Sequence, residues 1–229
     1  MPRPTLSLLI SVLLPALAVP FAAAESLNDV LARMDKSAES FRSMTADLTQ
    51  LNHTEVINDN ETLNATVRMK KAKDGIVGRV DFGEPNRKIV YIRERKLHVY
   101  YPKSNTVEIY DLGEYGDQLD AFLLLGFSTS GKELQKNYKV KLLGTQTVAG
   151  KVTSHLELTP KGKKAQEMFN KADVWLAQDA NYPVQERIDK SGKDYTLITY
   201  SDVKLNSPLS DKDLELVLPP GVKKITPQK

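Results

Sequence analysis

Hydrophobic and polar residues follow two different periods along the chain. Over residues 27–41 the apolar residues recur every three or four positions, which predicts one amphipathic helix. Ser26 precedes this stretch and Asp29 follows three residues later, a spacing typical of a helix N-cap. From Met44 onward apolar and polar residues mostly alternate, as in strands with one covered face. The sequence therefore predicts one long N-terminal helix followed by a large β region.

The β region contains about eleven strands separated by short turns. The segments "TLNATVRMKK" and "GIVGRVDF" are two of them, and "RKIVYIRERKLHVYYPKSNTVEIYD" holds three strands with turns at residues 93–95 and 102–105. Further strands are predicted in "YKVKLLGTQTVAGKVTSHLELTP", in residues 172–205 and in "LELVLPPGV". "KGKKAQEMFNKA" is predicted to be a helical turn or loop. Because the connections are short, the pattern favours an antiparallel meander within the α+β class.

One segment, "LDAFLLLGFSTSGKELQK" at residues 119–136, does not alternate. It lacks β-branched aliphatic residues and has charged flanks, which favours short helices over a strand. A helix that is apolar on nearly all sides must be covered on all sides. Either the N-terminal helix covers it, as part of an ordinary core, or a ligand does. The residues alone leave both possibilities open.

The first 24 residues have the pattern of a signal peptide. Arg3 is followed by an apolar run at residues 6–19, and Ala22 to Ala24 provide the small residues of a cleavage site, so we expect the mature chain to begin at Glu25. No later segment is long enough to span a membrane. Residues 25–229 are expected to form a single domain.

Composition and motifs limit the kinds of site that this chain could contain. The absence of cysteine excludes disulfides, thiolate zinc sites and a lipid anchor on this chain. The formal charge of +3, with both signs interspersed, does not suggest nucleic acid. His98 and His155 occupy polar positions of strands, where we expect solvent-facing side chains. "GFSTS" at residues 126–130 approaches a nucleophile elbow, but it lacks the second glycine and does not follow a strand. We therefore predict no enzyme activity, no metal and no cofactor.

Six segments, in order, resemble the periplasmic outer-membrane lipoprotein carrier family, the LolA-like proteins. They are "FRSMTADLTQ", "LHVYYPKSNTVEIYD", "FLLLG", "LELTPK", residues 174–206 and "LELVLPPGVK". The resemblance covers most of the mature chain. It implies an open, incomplete antiparallel β-barrel, closed by an N-terminal helix and a short apolar lid helix, that holds acyl chains between sheet and lid.

The resemblance also implies which residues bind lipid. The lid would present Phe122, Leu123, Leu124, Leu125 and Phe127. The strands would line the cavity with Val67, Met69, Val80, Phe82, Val90, Ile92, Leu97, Val99 and Tyr101. Well-studied members hold the empty carrier shut with an arginine followed by proline. In this chain "RMKKAKDG" stands at that place, so Lys71 would take the role as a weaker latch.

The function implied by the resemblance is that of a periplasmic carrier, a monomer that binds lipoprotein or lipid acyl chains. Its expected partners are an inner-membrane donor complex and an outer-membrane acceptor. The alternative is a lipid-binding sensor of envelope stress that contacts a membrane regulator. An exported hydrolase is the least favoured of the three.

Overall fold

The computed structural model describes residues 25–73, 75–113, 127–180 and 182–227. The predicted signal peptide, residues 1–24, lies outside this description. Helix α1 spans Leu27–Ser40, and its predicted cap is confirmed. The Ser26 hydroxyl accepts a hydrogen bond from the Asp29 backbone N–H at 3.3 Å, and the Asp29 carboxylate accepts one from the Ser26 N–H at 3.0 Å. This reciprocal pair satisfies N–H groups that the first helical turn leaves without a partner.

The remaining strands and helices follow the predicted order. The strands are β1 (Ser43–Thr54), β2 (Asp59–Ala72), β3 (Gly75–Phe82), β4 (Lys88–Arg93), β5 (Lys96–Tyr101), β6 (Thr106–Asp111), β7 (Tyr138–Val148), β8 (Lys151–Pro160), β9 (Lys171–Ala177), β10 (Pro183–Asp189), β11 (Tyr195–Leu205) and β12 (Lys223–Ile225). The helices after α1 are α2 (Gly131–Asn137), α3 (Lys163–Met168) and α4 (Asp211–Leu214). Single 3₁₀ turns occupy Glu55–Ile57, Pro102–Ser104 and Ser191–Lys193. Among the described residues, no helix has the length and apolar character needed to cross a membrane.

All twelve strands belong to one sheet, in the order β12-β6-β5-β4-β3-β2-β1-β11-β10-β9-β8-β7. Neighbouring strands are antiparallel except for β12, which pairs in parallel with β6. Strands β7 and β12 lie at the two ends of the order, so the sheet does not close on itself. The predicted open antiparallel β-barrel with few helices is confirmed.

Helix α1 defines the inner face of the sheet by packing against it. Its buried side chains Val30, Leu31 and Met34 share one cluster with Leu134 of α2 and with strands β7 to β10. Leu156 and Leu158 of β8, which belong to this cluster, are at most 1% exposed. The inner face over β7 to β10 is therefore an ordinary, closed hydrophobic core.

The C-terminal segment covers the outer face of the sheet, which corrects one prediction. "LELVLPPGV" was predicted to be a strand, but it begins at the last residue of α4 and joins no ladder. Its alternation is real: Leu214 is buried in a cluster with Val77 and Tyr91, and Leu216 packs beside them. The leucines point onto the outer face of β3 and β4, whereas Pro219 and Pro220 lack the N–H groups that a ladder requires.

The approach of α2 to α1 predicts a stability effect at Gly131. A Cβ added there would lie 2.6 Å from the Leu31 carbonyl oxygen, which is backbone and cannot rotate away. Gly131→Ala should therefore lower the free energy of unfolding by about 1–3 kcal/mol. Gly83→Ala is the control, because its Cβ would meet only the Asn64 oxygen at 3.6 Å, an ordinary contact. Urea unfolding of both variants measures the difference, and equal midpoints would contradict the expected clash.

Candidate functional site

The cavity residues predicted on strands β2 to β5 all lie on the inner face. Residues that pair directly across neighbouring strands share a face. One such row runs Val67, Val80, Val90, Val99. A second row runs Met69, Gly78, Ile92, Leu97. Phe82 pairs with Ala65, and Tyr101 is two residues beyond Val99, so both complete the same face. The sequence did not indicate which face of the sheet the cavity would use, and the register brings all nine residues together.

This part of the inner face is less covered than the part under α1. Val67, Met69 and Ile92 are buried, at 2%, 7% and 6% exposure. The other six are partly exposed: Val80, Phe82, Val90, Leu97, Val99 and Tyr101. The two hydrophobic clusters that contain α1 and Phe127 include no described residue of β4 or β5. An aliphatic surface of two adjoining strands thus remains partly open.

Phe127 contacts the near end of this face. It is 2% exposed and clusters with Met44, Met69 and Ile76. Its ring meets the Tyr200 ring edge-on, with centroids 5.1 Å apart at an angle of 88°. Phe122, Leu123, Leu124 and Leu125 lie outside the described residues. Of the residues predicted to form the lid, Phe127 alone belongs to the described part of the chain, and the association of lid and cavity stays a prediction.

Lys71 lies at the same end of the inner face, directly across from Ile76. Its side chain is exposed beside a cavity of about 420 Å³ that is also lined by Asp35 and Glu39 of α1 and by Ser128. Its backbone N–H donates to the Arg42 carbonyl at 2.8 Å. Lys71 is thus next to the turn that follows Phe127, whereas the lid carbonyls proposed as its partners belong to residues outside the description.

A buried carboxyl on the inner face was missed by the sequence reasoning. Glu186 pairs across the sheet with Val174 and Ile198, both in apolar clusters, and is 5% exposed. The Tyr200 hydroxyl donates a hydrogen bond to its Oε2 at 3.5 Å. Burial raises the pKa of Glu186 to about 8, and the hydrogen bond opposes this only weakly. The available signal was a glutamate at an apolar position, between Val184 and Ile188 of β10.

The histidine prediction needs correction. His155 is 8% exposed, its Nε2 lies 2.8 Å from Asp173 Oδ1, and its ring stacks on Trp175 at 4.4 Å. His98 is half-buried, and burial lowers the pKa of its imidazole. Neither faces solvent freely, because neighbouring side chains on the outer face cover both.

The structure gives a local role to Ser130, a residue of the "GFSTS" segment. Ser130 caps α2, its hydroxyl accepting from the Glu133 N–H at 3.1 Å, and no histidine is among the residues that line the cavity next to Ser128. Among the described residues, no group of three or more histidine, aspartate or glutamate side chains could hold a metal ion. What the inner face offers chemically is an apolar surface.

Comparison with known proteins identifies the fold. No protein-family model and no curated protein matches the sequence. An uncharacterized conserved protein from Thermus thermophilus matches with a TM-score of 0.57 and 14% identity, over 89% of this chain and 100% of that one. MucB matches with a TM-score of 0.53 and 14% identity, over 83% of this chain and 62% of that one.

A second MucB structure, from Pseudomonas aeruginosa in complex with MucA, gives a TM-score of 0.50 and 16% identity, over 83% of this chain and 61% of that one. This chain thus spans about three fifths of the length of the MucB chains. A LolA superfamily protein from Nitrosomonas europaea matches with a TM-score of 0.42 and 15% identity, over 84% and 99% of the two chains. The chain shares its fold with MucB and with the Thermus protein. At these identities the similarity establishes the fold alone.

The buried Glu186 predicts a dependence of stability on pH. Between its ordinary pKa of 4.5 and the folded value of about 8, the folded protein keeps a proton that the unfolded chain releases. Stability should therefore fall as the pH rises through this window. Glu186→Gln removes the titrating carboxyl. The free energy of unfolding of this variant, relative to that of the parent, should therefore rise from pH 5 to pH 8, by an amount on the order of 4 kcal/mol.

Urea unfolding at a series of pH values measures this gain, and the exposed Glu167→Gln is the control. A gain that stays constant from pH 5 to pH 8 would show that Glu186 is ionised in the folded protein.

Proposed function

We propose that this protein binds the acyl chains of lipoproteins or related lipids on its inner face and carries them across the periplasm. The observation that supports this proposal is the register of β2 to β5. It places nine apolar residues on one face, six of them partly exposed. A contiguous apolar surface of this kind is unusual in a water-soluble monomer unless a ligand or partner uses it.

The energetics of acyl-chain transfer fit such a surface. Each buried methylene contributes about 0.8 kcal/mol, so a 16-carbon chain gains roughly 12 kcal/mol on leaving water. An aliphatic wall that includes Met69 adapts to disordered chains, because thioether and aliphatic side chains change rotamer at little cost. In the proposed function, residues 1–24 direct export and residues 25–229 form one lipid-binding domain.

The proposed route runs from an inner-membrane donor to an outer-membrane acceptor. Phe127 is the described part of the apolar segment at residues 119–127, and it is buried against the inner face. In the proposal this segment closes over the bound chains. The protein acts without a cofactor and as a monomer.

A second candidate function is that of a lipid-binding sensor which contacts a membrane regulator. The fold similarity to MucB, which has been solved in complex with MucA, is the observation that favours it. Both candidates use the inner face for lipid. They differ in the output: a carrier delivers its lipid to acceptor vesicles, whereas a sensor keeps the lipid and changes its affinity for a protein.

The inner-face proposal predicts a position-specific loss of lipid. Val90→Asn with Val99→Asn puts two amides in the middle of the proposed acyl site, where unpaired polar groups disfavour apolar ligands. Co-purifying lipid, quantified by mass spectrometry, should fall at least tenfold. Ile89→Asn with Ile109→Asn is the control, because these residues are also partly exposed but lie on the outer face of β4 and β6, the two strands that flank β5. Lipid retained by the inner-face variant would contradict the proposal, provided that both variants fold.

The latch proposal predicts slower lipid release from Lys71→Leu. If the Lys71 ammonium holds the apolar segment closed in the empty protein, its removal favours the open form, which retains lipid longer. Release of a fluorescent fatty acid to acceptor vesicles should slow several-fold relative to the parent. Lys73→Leu is the control, because Lys73 is exposed in the turn that follows β2. Equal release rates in both variants would exclude Lys71 as the latch.

A further inference from the structure

The inner face ends in a cavity of about 880 Å³ at the end far from Lys71 and Phe127. Three of its strand residues, Leu63, Lys88 and Tyr101, lie on the inner face by register. The turn at residues 84–87 and the 3₁₀ turn Pro102–Ser104 form its outer rim. We call this cavity the mouth. It adjoins the partly exposed apolar rows, because Ala65 and Phe82 form the next pair on the same face.

The mouth carries a group of cationic side chains. Arg87, Lys88 and Lys103 line it, and none of the three has an ion-pair partner in the part of the chain that the structure describes. Two carboxylates, Glu61 and Glu84, also line it. With three cations against two carboxylates, the mouth has an excess of positive charge.

One of the two carboxylates is already engaged. Glu61 Oε1 accepts a hydrogen bond from Asn86 Nδ2 at 2.6 Å, and its Oε2 accepts one from Asn52 Nδ2 at 3.3 Å. Each Glu61 oxygen accepts a hydrogen bond from an amide, while the carboxylate keeps its negative charge. The three cations have no ion-pair partner among the described residues and are therefore available to an external anion.

Lys88 lies at the boundary between the polar mouth and the apolar face. Its Nζ is 4.7 Å from the centroid of the Phe82 ring, and Phe82 is part of the proposed acyl site. A cation held over an aromatic ring stays near apolar surface without losing its solvation entirely. A lipid whose chains extend along Val80, Val90 and Val99 would bring its headgroup to this ammonium.

We propose that the mouth binds the anionic headgroup of a phosphate-bearing lipid whose acyl chains occupy the inner face. This inference rests on the proposed function, since it needs the chains to lie where that function places them. It adds the class of cargo: lipids with a negatively charged phosphate headgroup are preferred over uncharged lipids with the same chains. The interaction is long-range and partly solvated, so it should weaken as the salt concentration rises.

Two fluorescent lipids with identical acyl chains test this preference on the full-length mature protein. One probe is phosphatidylglycerol, which carries an anionic phosphate, and the other is diacylglycerol, which is uncharged. We expect phosphatidylglycerol to bind at least tenfold more tightly at low salt, with the advantage shrinking at 0.5 M NaCl. If neither probe binds, the proposed function itself fails. If both bind equally, the headgroup inference is overturned and acyl binding stands.

A triple variant assigns the preference to the mouth. Arg87→Gln, Lys88→Gln and Lys103→Gln together should abolish the advantage of phosphatidylglycerol over diacylglycerol. The control triple Lys139→Gln, Lys204→Gln and Lys212→Gln removes the same charge from exposed positions elsewhere. An equal loss in both triples would mean that net charge, not the mouth, attracts the lipid, and would overturn the inference.

Two further measurements keep the test decisive. If the mouth triple has a lowered melting temperature, the double variant Arg87→Gln with Lys103→Gln replaces it. Both residues lie in the rim turns, and the double variant should lose most of the preference for phosphatidylglycerol.

Inorganic phosphate is titrated into the lipid-free protein by calorimetry. If phosphate alone saturates the mouth and the phosphatidylglycerol advantage is absent, the cavity binds free phosphate and the headgroup assignment is wrong.

Discussion

The organisation of this protein depends on covering the inner face of one twelve-stranded sheet with one helix of fourteen residues. Such a helix is about 21 Å long and about 10 Å wide. Twelve strands spaced about 4.8 Å apart span roughly 50 Å. Helix α1 can therefore close only part of the face, and it closes the part over β7 to β10, where Leu156 and Leu158 are almost fully buried. The apolar rows of β2 to β5 extend beyond its reach.

The outer face is stabilised differently along its length. Over β3 and β4 the chain supplies its own cover, since Leu214 and Leu216 of the C-terminal segment pack on Val77 and Tyr91. An ion pair between Lys70 and Asp211 fixes this segment to β2. Over β8 and β9 the cover is a polar network instead, in which Asp173 contacts both His155 and Lys171. In these two regions the outer face is therefore covered by the chain's own side chains.

The inner face itself changes character from one end to the other. Near Phe127 it is tightly packed, and Glu186 contributes a carboxyl that burial keeps protonated at neutral pH. In its middle it is aliphatic and partly exposed, and at the mouth it becomes cationic. Glu186 is separated from solvent and has one hydroxyl partner, whereas the charges of the mouth remain hydrated at the rim. This gradient from closed core to polar opening matches the two ends of an amphipathic lipid.

The sequence by itself determined the local elements and the composition of the faces. The capping box at Ser26 specified where α1 begins, and alternation with period two placed Val67, Val80, Val90 and Val99 among the apolar positions of their strands. Once those strands pair, period two also requires the apolar positions to share a face. The predicted turns at residues 93–95 and 102–105, between β4 and β6, are local features, which need no information from distant residues.

Only the tertiary structure decided which distant segments meet. Glu186 and Tyr200 come together because β10 and β11 pair in one register. The mouth forms because the turn before β4 and the turn after β5 lie at the same end of the sheet. The segment "LELVLPPGV" was wrongly predicted to be a strand. Its leucines are buried because they pack on the face of the sheet, and an alternating pattern is the same whether a segment packs on a sheet or pairs within it. The hydrophobic period indicates which side chains are buried. Which segment covers them depends on how the whole chain packs.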